Sequence, residues 1–182
     1  MIRITDDDLL LFKYLFEEQY IKRSHIRDYL WKHKTNGSIR VRLSKLLKNN
    51  FLESKPDPMD INGGTYLFPT NKGLNYYDLM FEDRVEKITV RENTRLNIYK
   101  ADKYNLTSDF DINSIVHHNF LTELRFILEN CGVDYWESES LFYPKYAKNP
   151  DSIFQIKIDI NGKIKEINIS VEFERRKKYL SN

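Results

Sequence analysis

The sequence predicts an α+β protein in two modules, three helices and a β-hairpin followed by a helix and three strands. Three observations predict it. Apolar residues recur at helical spacing through the first fifty residues and again between 111 and 130. Ile167, Ile169, Val171 and Phe173 alternate with Asn168, Ser170, Glu172 and Glu174, the pattern of a strand with one covered face. Asn161-Gly162, between two strand-like runs, is a strong hairpin-turn signal. A chain of 182 residues, 41% hydrophobic and 14% aromatic, is globular and can bury a core without metal or disulfide staples.

The elements follow in order. Thr5 is a good N-cap, and Asp6 to Asp8 lie in the first turn, where the helix dipole favours acids. Leu9, Leu10, Phe12, Leu15 and Phe16 continue that helix. A second helix opens at Ser24, with Ile26, Tyr29, Leu30 and Trp31 inward. After Thr35-Asn36-Gly37, a third runs from Ser38 to Asn49 on an inner stripe of Ile39, Leu43, Leu46 and Leu47. Phe51 to Ser54 and Thr65 to Pro69 read as strands joined by a Pro/Gly-rich turn. A helix follows Thr70, carrying Leu74, Tyr77, Leu79 and Met80. Residues 84–111 are polar, of mixed periodicity, and read as a connector. A helix from Asp111 or Asn113 through Asn130 has Ile115, Val116, Phe120, Leu124, Ile127 and Leu128 as its inner face, with Gly132 just past its end. Strands follow at about Tyr135 to Tyr143, Ile153 to Ile160 and Lys163 to Glu174.

The net charge of +2 conceals a segregation. Ten basic residues oppose only Asp28 and Glu53 between Tyr20 and Lys55, a local +8, and the remainder of the chain sums to −6. Such separation suggests a surface that faces a polyanion. Helix, helix, turn, basic helix and hairpin is the order of a winged helix-turn-helix, here residues 1–83. Its basic helix must fit the major groove with packing residues behind and cations in front. Arg40 and Arg42 are the first candidates for base or phosphate contact, supported by Ser38, Lys45 and Lys48. Lys32 and Lys34 would reach phosphate from the turn, and Lys55 from the wing. The same fold also serves as a protein-docking module, and a basic helix face is often no more than solvated surface.

Several short motifs then fall in a familiar order. They are Thr5-Asp6, Arg42 with Leu47 five residues on, and Tyr66 with Thr70 and Gly73. Later come His117 or His118 with Leu121 and Leu124, Trp136-Glu137-Ser138-Glu139, Pro150-Asp151-Ser152-Ile153-Phe154 and Val171-Glu172-Phe173-Glu174. In this order the chain resembles the replication-relaxation family of plasmid, phage and integrative-element proteins. The resemblance implies a DNA-binding first half that serves replication, mobilisation or transcriptional regulation. It also implies that residues 112–182 are similar to part of a restriction-endonuclease-like fold. In that fold, carboxylates on adjacent strands hold Mg²⁺ and a nearby lysine helps activate water. Asp151 and Glu172 match the metal ligands, with Glu137 or Glu139 as a third acid. The lysine position, however, is Glu174, and Lys177 or Lys178 would have to substitute from another register. With Asn182 ending the chain, this half is expected to be a truncated domain, and its acids to be a polar sheet face.

The remaining signals narrow the class. Cys131 is the sole cysteine, which excludes an intramolecular disulfide and fits a reducing compartment. It is expected to be a semi-buried thiol, Trp31 and Trp136 to be core, and His117-His118 to be a packing and capping pair. No apolar run approaches a membrane span, so a cytoplasmic protein without membrane partners is expected. The expected function is sequence-dependent binding of double-stranded DNA as an accessory of a mobile element. A homodimer is expected, with replication or mobilisation proteins as partners and no cofactor. The alternatives are a Mg²⁺-dependent nuclease or relaxase-like enzyme using Asp151, Glu172 and Glu139, and a protein-docking module.

Overall fold

The computed structural model describes residues 2–84, 112–133, 135–138 and 150–173. The first helix, α1 (Asp6–Glu18), starts where the sequence predicts. The Thr5 N–H and hydroxyl both donate to the Asp8 carboxylate at 2.7 Å, fixing the first turn. Leu11, Phe12 and Leu15 make its buried face. After Gln19, at φ 68°, comes the two-residue strand β1 (Ile21–Lys22), too short for any periodicity to announce.

In place of the single helix expected from Ser24, a short α2 (Arg23–His25) widens into a π-turn over Ile26–Leu30. The Trp31 N–H closes it on the Ile26 carbonyl at 2.7 Å. Ile26, Leu30 and Trp31 are all buried as expected, and the Trp31 indole N–H donates to the Asp7 carbonyl at 3.1 Å. Helix α3 (Asn36–Lys48) is capped by Thr35, whose hydroxyl accepts the Ser38 N–H, and begins two residues before the predicted Ser38. Strands β2 (Leu52–Pro56) and β3 (Thr65–Pro69) pair antiparallel, and β1 joins the other edge of β3, giving the order β1-β3-β2. Helix α4 (Asn71–Arg84) is seated by Gly73, where a Cβ would lie 2.4 Å from the Phe51 carbonyl oxygen. Three helical segments against a three-stranded sheet whose long hairpin projects as a wing is the winged-helix arrangement.

The second half follows the predicted α-β-β-β order among the described residues. It consists of α5 (Ile112–Asn130), β4 (Tyr135–Ser138), β5 (Ser152–Ile160) and β6 (Lys163–Val171), the strands antiparallel in the order β4-β5-β6. Asn161 and Gly162 turn the hairpin with φ of 56° and 79°, as a type I′ turn requires. Strand β4 covers only Ser152 to Gln155, so β5 and β6 continue beyond it as a two-stranded ribbon with Ile158, Ile160 and Ile164 exposed. The connector and the far part of the predicted 135–143 strand lie outside the described residues, as do Glu139, Glu174, Lys177 and Lys178.

The inner face expected for α5 is corrected. Ile115 is buried, but Val116, Phe120 and Ile127 are exposed, and the buried pole is Ile115, Leu121, Thr122, Arg125 and Phe126. A charged group decides the rotation. Arg125 reaches Glu18 at 2.5 Å and Glu129 at 2.8 Å, and also pairs with Glu17. The Tyr14 hydroxyl donates to Glu129, and the Ser138 hydroxyl donates to Glu18 at 2.5 Å. A guanidinium with three carboxylates pulls α5 onto α1, and Phe126 enters the same core as Leu11, Ile26 and Trp31. Cys131 is likewise exposed rather than semi-buried, because it sits in the turn that ends α5.

Candidate nucleic-acid interface

The outward face of α3 follows from its buried one. Ile39, Leu43 and Leu46 are buried. At about 100° per residue, the opposite pole carries Gly37, Val41, Ser44 and Lys48, with Arg40 on one shoulder and Ser38 and Lys45 on the other. All of these are exposed. Val41 stands at the centre of this face at 52% exposure.

The structure divides the predicted contact residues. Ser38, Arg40, Lys45 and Lys48 lie on the outward face or its shoulders, and no ion pair ties them to another described residue. Arg42 does not: its Nε donates to Asp8 at 2.8 Å, and its terminal nitrogen bonds both Asp8 and, at 2.7 Å, the Arg3 carbonyl. It ties α3 to α1. The helical angle explains this, since Arg42 is only about 65° from the centre of the buried stripe. Lys34 is held by Asp7 at 2.5 Å and lies over the Trp31 ring. Lys32 donates to Asn130 at 3.2 Å, so it faces α5 and not the basic helix. Lys55 lies over the Phe68 ring, 4.8 Å from its centroid.

Beside the Arg40 shoulder is a cleft of about 400 Å³ between the start of α2, the start of α3 and the wing. Lys22, Arg23, Arg27, Asn36 and Arg40 line one side and Asp60, Asn62 and Gly63 the other. Arg27 is paired with its neighbour Asp28 at 2.5 Å. Lys22 bonds Asp57 at 2.8 Å. Burial alone would raise the Asp57 carboxyl, but Lys22 and the Met59 N–H hold it below the ordinary value. At the wing tip Ile61, flanked by Asp60 and Asn62, is 99% exposed. Arg23, Arg27 and Val41 escaped notice as site residues. Arg23 and Arg27 belong to the basic run, but only the wing's position shows that they border α3.

The wing's root is wired to α5. Tyr66 accepts a hydrogen bond from the Asn119 amide and donates on to Asp57. Burial, with Asp57 nearby, pushes the Tyr66 hydroxyl up to about 12. His118 Nε2 donates to the Tyr20 carbonyl at 2.8 Å, and its ring packs on Tyr20, so it is a packing residue as expected.

At the acids of the second half, Asp151 accepts the Phe173 N–H at 2.5 Å and lies 3.1 Å from His117 Nε2. Glu172 is exposed on the adjoining strand end, and Glu137 is fully buried beside Tyr135. Glu139 lies outside the described residues, and among the described residues no three His, Cys, Asp or Glu side chains converge for a metal ion. No helix among them is long and apolar enough to cross a membrane.

No protein-family model matches the chain, and no curated protein matches it. Two solved structures superpose loosely. The transcriptional regulator Tm0710 from Thermotoga maritima is similar at a TM-score of 0.38 and 19% identity, over 70% of this chain and 78% of that one. The adhesin competence repressor AdcR from Streptococcus pyogenes is similar at 0.36 and 15%, over 70% and 84%. The winged-helix arrangement itself stands on the strand order and helix packing described above.

Proposed function

We propose that this chain binds double-stranded DNA, with α3 in the major groove and the wing over the flanking backbone. One observation carries the reading: a helix face of Arg40, Val41, Ser44, Lys45 and Lys48, exposed among the described residues, beside a cleft edged by Arg23 and Arg27. The width of a single exposed helix suits the major groove, and cations on both shoulders suit the two phosphate strands that bound it. The biological setting we propose is that of an accessory in replication, mobilisation or transcriptional regulation of a mobile element, acting as a homodimer on paired half-sites.

Selection of bound duplexes from a random library, followed by gel-shift titration, tests this. Arg40→Ala with Lys48→Ala should lower affinity at least tenfold while leaving the melting curve unchanged, and affinity should fall steeply with salt as counterions are released. Unaltered binding by the double variant would sink the reading. The same selected duplex incubated with Mg²⁺ separates binding from strand cleavage, and light scattering reads the dimer.

A further inference from the structure

We infer that Val41 is a specificity residue that reads the 5-methyl group of a thymine, an inference resting on the duplex-binding reading above. Among the described residues Val41 belongs neither to the core nor to the apolar groups packed against it, and it borders only a shallow cleft with Thr5, Asp7 and Lys34. Val41 lies opposite Ile39, Leu43 and Leu46, is half exposed, and disfavours a helix relative to alanine. It is also the single large apolar group on a face otherwise made of Gly37, Ser38, Arg40, Ser44, Lys45 and Lys48. Groups that flank it by about 100° on each side are Arg40 and Arg42, and of these only Arg40 projects into the cleft; Arg42 is bent back onto Asp8.

The major-groove edge of DNA offers hydrogen-bond donors and acceptors at every base pair but only one apolar feature, the thymine methyl. A valine at the centre of a groove-facing helix therefore has one chemical match. Placed against any other base edge, it would strip water from a donor or acceptor and return nothing. Val41 thus supplies discrimination, whereas Arg40, Lys45 and Lys48 supply attraction to phosphate or guanine.

The test removes one methyl group at a time. In the selected duplex, each thymine is replaced singly by deoxyuridine, which keeps every hydrogen-bonding group and loses only the 5-methyl. One thymine per half-site should then bind about fourfold more weakly, the transfer value of a single methyl. For Val41→Ala, an exposed change that leaves the core untouched, thymine and deoxyuridine at that position should bind alike. If no thymine is methyl-sensitive, or if the sensitivity survives in Val41→Ala, the assignment of Val41 is overturned and the DNA-binding reading stands. If no duplex is retained at all, both fall together.

Discussion

Arg40 and Arg42 are two residues apart, both cationic and both on the basic helix, yet the structure exposes one and ties the other inward. Arg42 neutralises Asp8, which is fully buried and also holds the first turn of α1. Arg42→Ala leaves that carboxylate without its cation, and removal of one partner of such a pair costs about 3 kcal/mol. Arg40→Ala breaks no hydrogen bond or ion pair among the described residues and should alter stability by less than about 0.5 kcal/mol. Urea melts of the two variants should separate them clearly, the reverse of their order in a DNA titration. The composition could not distinguish these arginines, although the helical angle from the centre of the Ile39, Leu43 and Leu46 stripe does, at about 65° for Arg42 against about 95° for Arg40.

His25 gives a pH dependence at the same scale. Burial pushes it down to about 4, outweighing the pull of Glu123 in the other direction. The unfolded chain therefore takes up the His25 proton near pH 6.5 while the folded chain refuses it until about pH 4. Between those values stability falls as pH falls, by up to about 3 kcal/mol for this shift. His25→Leu, which packs in the same place without titrating, should flatten the loss between pH 7 and 5 in urea melts. Unequal slopes that persist in the variant would assign the effect elsewhere, with His118, also depressed by burial, as the next group to replace.

Among the elements, those with a clean two-sided pattern were legible and those without were not. Helices α1 and α3 and strands β3, β5 and β6 appear within a few residues of their predicted bounds, because caps and alternation are local signals. The two-residue β1 and the π-turn after His25 have no local signal; tertiary pairing with β3 and the packing of Trp31 create them. Helix α5 misleads for a different reason. It is apolar around much of its girth, so periodicity selects Val116, Phe120 and Ile127, while an ionic contact selects the other pole. The seat of α4 depends on close approach: Gly73→Ala would drive a methyl into the Phe51 backbone. That overpacking should cost about 1–3 kcal/mol and appear as a lower midpoint in thermal melts.

At the scale of the molecule, the boundary expected at residue 83 does not divide the packing. Phe126 stacks on Tyr29 with ring centroids 5.1 Å apart and lies equally close to Tyr14, within the core of the first half. A fragment ending at residue 84 would expose those rings and leave Glu17 and Glu18 without Arg125. It should melt far below the full chain, or not cooperatively, by circular dichroism. Equal cooperative melting would show that the first half is self-sufficient. Length and charge suggested two modules, but a buried guanidinium bridging residues more than a hundred positions apart leaves no trace in local composition.

The thread from Asn119 through Tyr66 to Asp57 and Lys22 makes the wing a pointer geared to the helix behind it. The molecule also carries its own ruler. Cys131 is exposed at the far end of α5, and Ile61 at the wing tip can become a second thiol without disturbing any packing. Spin labels on Cys131 and Ile61→Cys should give a narrow distance distribution that broadens in Asn119→Ala.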